Sequence, residues 1–398
     1  VYKRGIPHSC PPLSGRHKGA KAQRHKVSFS SLCASVPLCL CASSPLLAVL
    51  ICLVFLSCHR VSTLRNKLFV PDEFSTLEEA VKNAASGDII IVRPGRYFLS
   101  SQGIRITQKD LTIFGASGAR ETVLTGTGDG PAISFDKKCQ AVLDGFTVTV
   151  LASDPNRGGA LQGGGIYCAP YSSPTIVNNC ITNHKAQFGG GIYCAFSSSP
   201  RILQNTIADN QASVCGGGIF SFYASPRIQK NMLIRNIAHF GGGIMCDADN
   251  SLIQNNIIAE NKALHSGGGC SCIGSFAMLI NNTLSRNSAL FGGGILGSSG
   301  EFLSANNILW KNQDDICLID FKMASRPRFS DIMDADYLGI NGNISQDPLF
   351  IDPNRGDYRL KPDSPCLHAG DSQKRYNNPD GSRNTIGAQG GPDAGVGI

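Results

Sequence analysis

Six triple glycines recur along the chain: GGGIYC at Gly163, GGGIYC at Gly189, GGGIFS at Gly216, GGGIMC at Gly241, GGGCSC at Gly267 and GGGILG at Gly292. Their spacings are 26, 27, 25, 26 and 25 residues. A unit of that length cannot bury a core alone, so such a period means one turn of chain stacked on the next. The apolar positions alternate over short runs and are broken by Gly, Ser-Pro and Asn, which excludes a helix pair and predicts two or three short strands per repeat. Stacked strands of this kind form parallel sheets with about 4.8 Å between neighbours, and equivalent residues of successive repeats become spatial neighbours.

A second frame, N-x-[I/L]-x-x-N, runs between the glycines. It sets Asn179, Asn205, Asn231, Asn256, Asn282 and Asn307 in one column, and His184, Asn210, Asn236, Asn261, Asn287 and Asn312 in another. Buried amides in register hydrogen-bond to one another and to the bends, so these columns are expected to be structural. The residues just before the second column are Asn183, Asp209, Arg235, Glu260, Arg286 and Lys311. From Asp209 to Arg286 their charges alternate, which predicts a solvated ion ladder rather than catalytic acids.

The net charge of +7 belongs to the leader, since no Asp or Glu precedes Asp72. Beyond it the balance is slightly acidic, which removes the main support for nucleic-acid binding. The uncharged run PLLAVLICLVFLSC, Pro45 to Cys58, follows a region with Arg16, Lys18, Lys21, Arg24 and Lys26 and reads as an export signal or short anchor. FLSC resembles an imperfect lipobox, which makes Cys58 a weak lipidation candidate. A first residue other than Met suggests a translation start further along the chain. The expected location is therefore outside the cytoplasm, secreted or at the cell envelope, with membrane contact only through the N-terminal segment. Six of the sixteen cysteines lie in this leader and no CxxC pair occurs, so metal-ligand spacing is absent.

The repeats, the segment STLEEAVKNAASGDIIIVRPGRY and the closing DPLFIDPNRGDYRLKPDSPCLHAGD together resemble the right-handed parallel β-helix proteins of the pectate-lyase-like superfamily, over roughly residues 69 to 392. The GGGI-type coils are similar to those of bacterial secreted and cell-surface members. The resemblance implies an all-β solenoid with a short N-terminal capping helix and an irregular C-terminal cap. It divides the chain into a leader (1–68), first coils (69–150), repeats (151–312) and a capping region (313–398). Ser75 and Glu78 are expected to form a capping box, with Gly87 stopping the helix and Leu77, Ala80, Val81 and Ala84 facing inward. For activity it implies little, because this fold hosts lyases, hydrolases and adhesins alike.

Family enzymes need clustered carboxylates, and the repeats hold few. Asp247 and Asp249 would share a face if extended and offer a weak site for calcium, the only cofactor the sequence suggests; a solvated loop is the expectation. Asp314-Asp315 lacks the motifs of the hydrolases, so no catalytic residues are assigned. His239 and His265 stack by period without a third ligand. Cys168, Cys194, Cys246 and Cys272 form a column expected to pack as small apolar side chains. A binding surface has more support. Alternation in GGGIYC places Tyr167, Tyr193, Phe220 and Met245 outward, with Tyr171, Phe196 and Tyr223 in neighbouring turns and Arg201 and Arg227 stacked nearby. Such rings either stack on sugar rings or pack on one another. The expected partner is a polysaccharide or cell-surface glycan. A polysaccharide lyase or glycosidase, and a structural adhesive module, are the alternatives.

Overall fold

The computed structural model describes residues 65–151, 159–320 and 326–394, so the leader up to residue 64, with Cys58 and its hydrophobic run, lies outside the described residues. One coil shows how the repeat works. Thr175–Val177, Cys180–Thr182, Lys185–Phe188 and Ile192–Cys194 are strands, and each pairs in parallel with its counterpart one repeat later. Stacking generates a first sheet of ten strands from Lys67–Val70 to Leu303–Ala305 and a second of ten from Gly95–Phe98 to Asp331–Ile332. A third of nine strands runs from Ile104–Ile106 to Ile316–Ile319, and a fourth of five from Ala160–Gln162 to Lys262–Ser266. The rungs thus begin at Lys67 and continue past Asn312, where the sequence period has already lapsed.

The main core is a set of columns. Ile166, Ile192, Ile219, Ile244 and Ile295 stack in one, and Ile181, Ile207, Leu233, Ile258, Leu284 and Leu309 in another; all are fully buried. Each such side chain contributes about 1.5–3 kcal/mol by leaving water. The Asn columns are buried as expected and hold the bends. Along the ladders each Asn Oδ1 accepts from the preceding coil, and each Nδ2 before the last rung donates to a backbone carbonyl and to the next Asn Oδ1, as in Asn231 to Ile202 at 2.8 Å and to Asn256 at 3.0 Å. At the end Asn307 Nδ2 donates to Ser304 Oγ and Asn312 Nδ2 to Asp315.

Sequence reading missed that the residue before each Asn adopts the left-handed region. Asn178, Gln204, Lys230, Asn255, Asn281 and Asn306 have φ between 53 and 57°, and the charged column from Asn183 to Lys311 between 54 and 64°. Left-handed backbone costs these non-glycine residues about 1 kcal/mol each. The buried amide ladders that the bends feed offset that cost. The charged column is therefore a turn column first. Arg235 does grip Asp209 with two bonds of 2.8 and 2.9 Å, but Arg286 turns instead to Asn354 Oδ1 at 2.7 Å.

Helix α1, Leu77–Asn83, buries Leu77, Ala80 and Val81 against the first rungs, with Ala84 also buried beside them. Its cap is shifted by one residue from the expected box. Thr76, not Ser75, is the N-cap, and its hydroxyl accepts the Glu79 N–H at 3.2 Å. Ser75 instead donates to the Glu79 carboxylate at 3.2 Å. The helix ends at Ala84 before Gly87 is reached.

At the other end the tail does more than close the last rung. It returns along the side of the coils, where Gly387 N–H donates to Asn306 O at 2.8 Å. Asn281 Nδ2 donates to Thr385 O at 2.8 Å and Asn255 Nδ2 to Ala388 O at 2.9 Å. Ile386 and Ala388 thereby cover Ile257, Ala259 and Ile308 on the outer face of the second sheet.

Candidate functional site

The outward aromatic column is mostly not a surface. Tyr193 and Phe220 are 2% and 1% exposed, and Met245 is fully buried. The reason lies at Gly189. Its φ of 64° reverses the chain so tightly that a Cβ there would lie 3.0 Å from Tyr193 Cα. The strand ending at Phe188 consequently folds over the outer side of Ile192–Cys194. Phe188, Cys215 and Phe240 cover the column and build a second apolar cluster outside the main core. Tyr167 stacks on Tyr193 at 5.7 Å between ring centres and Tyr193 meets Phe220 edge-on at 5.4 Å. Burial pushes the Tyr193 hydroxyl above its ordinary pKa. The expected exposure of Tyr193 and Phe220 is thus corrected, and Tyr167 is half-buried. The aromatic residues just before three of the triple glycines, Phe188, Phe240 and Phe291, were the signal for this cover.

The turns between the third and first sheets do carry an exposed ladder. Tyr171, Phe196 and Tyr223 are 57%, 48% and 51% exposed. Their ring centres are 5.9 and 6.3 Å apart on successive coils. Tyr171 and Tyr223 occupy the same left-handed turn position, at φ 66 and 48°, while Ser197 takes it in the coil between and Phe196 fills the gap. Each turn leads into the first sheet, where Arg201 and Arg227 are register partners on the exposed face. Among the described residues neither guanidinium makes a hydrogen bond or ion pair; the register neighbours beyond them are Thr175 and Leu252. Two like charges facing each other across adjacent strands are mildly unfavourable, and an anion between them reverses the sign.

A recess absent from the sequence reading opens where the C-terminal cap meets the second sheet. It encloses about 150 Å³ and is lined by Arg286, Trp310, Lys311, Leu349, Pro353 and Lys361, among others. Periodicity could place Arg286 and Lys311 in a column but could not bring Lys361 beside them.

The acidic candidates separate. Asp247 ends its strand, Ala248 takes φ 50°, and Asp249 turns inward, so the two do not share an extended face. Asp249 is buried and accepts from the hydroxyls of Ser251 and of Ser275, the latter at 2.7 Å. Burial, then the charge of Asp249, pushes Asp247 up to about 6. Asp315 ends the second Asn ladder, accepting from Asn312 Nδ2 at 2.8 Å, and burial raises it to about 6; Asp314 accepts the Gly292 N–H at 2.7 Å. His239 and His265 do stack, 5.8 Å apart, wedged among Phe240 and Phe291. Among the described residues the sole group of three metal-ligating atoms is a set of thiols, Cys246, Cys270 and Cys272.

Residues 132–309 match the family model of the right handed beta helix region. With the parallel register of its rungs, this defines the class: a right-handed parallel β-helix. No curated protein matches the chain. Among solved structures, pectate lyase Pel9A is similar over 81% of this chain and 95% of its own, at 12% identity and a TM-score of 0.46. A pectin methylesterase variant in complex with a hexasaccharide is similar over 75% and 98%, at 12% identity and a TM-score of 0.38. The A-module of the Azotobacter vinelandii mannuronan C-5 epimerase is similar over 64% and 92%, at 12% identity and a TM-score of 0.28.

Proposed function

We propose that the protein is an exported binding module that holds an acidic polysaccharide or surface glycan along the side of its coils. The observation that carries this reading is the exposed ladder of Tyr171, Phe196 and Tyr223 beside the unpaired Arg201–Arg227 couple. Half-exposed aromatic rings on successive coils, edge-on or tilted to one another, offer apolar contact to sugar rings, and a guanidinium pair suits a carboxylate or sulfate through paired N–H donors. Exposed rings need no such role for stability, since the main core is complete without them.

Export in this reading rests on the basic leader and its apolar run, and cell fractionation with an antibody to the coils tests it. Binding is tested by presenting the full chain to an array of neutral and acidic glycans. Retention of acidic glycans that drops at least tenfold in Tyr223→Ala and in Arg201→Ala supports the reading. Equal retention by both variants overturns it. A loss confined to Trp310→Ala also overturns it and moves the site to the recess under the C-terminal cap. Release of unsaturated oligosaccharides from pectic substrates would instead identify a lyase.

A further inference from the structure

The third sheet carries one departure from its own rule. At the first inward position of the GGGI strands, Ile166, Ile192, Ile219, Ile244 and Ile295 fill five coils, and Cys270 stands in the sixth. That exchange replaces a sec-butyl side chain with a smaller CH2SH group in a closed core, which ordinarily costs stability. It occurs beside Cys272 on the same strand and one rung above Cys246, the register partner of Cys272. The three sulfurs lie within 4.8 Å of one another, and Cys270 Sγ is 3.7 Å from Cys272 Sγ. All three thiols are free and buried.

We propose that Cys246, Cys270 and Cys272 form a three-thiolate site for a soft, thiophilic metal ion of the Cu(I) type, inside the coil. The geometry is near what such an ion needs. Three sulfurs about 2.3 Å from a central ion stand roughly 4 Å apart in a trigonal plane, and here one pair is 3.7 Å apart with all three within 4.8 Å. A disulfide between Cys270 and Cys272 would need the sulfurs at about 2 Å, from side chains two places apart on one strand. Thiolates select soft cations, and three of them with no fourth in the group among the described residues favour a three-coordinate monovalent ion over tetrahedral zinc. Binding displaces three thiol protons, no electron is transferred, and the complex carries two negative charges, so it forms more readily as pH rises.

The test is anaerobic titration of the reduced full chain with Cu(I) against a chromogenic chelator, reading stoichiometry and thiolate-to-copper absorption. Because the leader also carries cysteines, the readout is the difference from Cys270→Ile, which restores the residue of the other five coils and so should fold. The expected result is one fewer tightly held copper per chain and a weaker absorption band in the variant. Equal stoichiometry and equal absorption overturn the proposal. Should Cys270→Ile fail to show the β-rich circular dichroism of the parent, Cys272→Ser replaces it, since Ser221 already occupies that column in the native chain.

Discussion

Asn205 donates both its backbone N–H and its side-chain Nδ2 to the single Oδ1 of Asn231, at 2.9 and 3.0 Å. The two residues are 26 places apart in sequence and one rung apart in space. Asn231 in turn donates to Ile202 O, Gln229 O and Asn256 Oδ1. Removing its amide takes the acceptor from the Asn205 N–H and the Nδ2 donor from Ile202 O in a buried column, while Asn205 Nδ2 keeps Ile176 O and Gln229 O keeps the Gln204 N–H. Asn231→Ala should therefore destabilise the coils by about 3 kcal/mol or more. Urea unfolding followed by circular dichroism checks this, and a midpoint unchanged from the parent would show that water replaces the ladder.

Glycines inside and outside the triplets differ in what they tolerate. A Cβ on Gly242 would sit 2.6 Å from Gly268 O and from Lys262 O, both backbone atoms that cannot yield separately. Gly274 has φ 56° but open space around it. Gly242→Ala is expected to cost several times more than Gly274→Ala, which should lose only about 1 kcal/mol from its left-handed backbone. Thermal melts of the two variants side by side decide it; equal losses would mean that the stack has slack between rungs.

Tyr193 and Tyr223 look alike in sequence and are opposites in the fold. Tyr193→Ala opens a hole between Tyr167, Phe220 and the covering strands and should destabilise by about 3–5 kcal/mol. Tyr223→Ala trims a ring that is half in water and should change stability by less than about 1 kcal/mol while weakening glycan retention. Parallel melting and binding measurements separate the two roles; a fold-neutral Tyr193→Ala would contradict the covered position described for it.

Asp247 gives a pH signature. Its folded pKa, raised to about 6 by burial and by Asp249, exceeds the ordinary carboxylate value near 4, so between those pH values the folded chain binds more protons than the unfolded one. Its contribution to stability is therefore favourable at low pH and is lost as pH rises from about 4 to about 6. Asp247→Asn removes the cost of ionising it, making the variant about 1–2 kcal/mol more stable than the parent at pH 7.5, with the gap closing near pH 4. Urea midpoints of both proteins at the two pH values test this, and a gap of constant size would place the carboxylate in water.

The periodic columns were legible in the letters because a stacked solenoid converts spacing into contact. Residues Asn179 to Asn307, and Ile181 to Leu309, needed only the register to be known. Alternation also told which residues left the main core, but not what lay beyond it. Tyr193 points away from the isoleucines as the pattern requires, yet Phe188 folds over it, because Gly189 reverses the strand and the alternation rule knows only two sides. The thiol cluster was partly legible. Cys246 and Cys272 fall into one column by period, and Cys270, two places from Cys272 on one strand, shares its face; the closeness of the three sulfurs was decided by the tertiary structure.

The sequence alone determined that turns of about two dozen residues stack in parallel register, because that period buries amides and isoleucines only when coil lies on coil. Which aromatic rings meet water, where the C-terminal tail lies, and how Lys361 reaches Lys311 were decided by tertiary structure. Those relationships join segments of unequal length and no common period, and their distances depend on how strands and turns pack rather than on how residues are spaced.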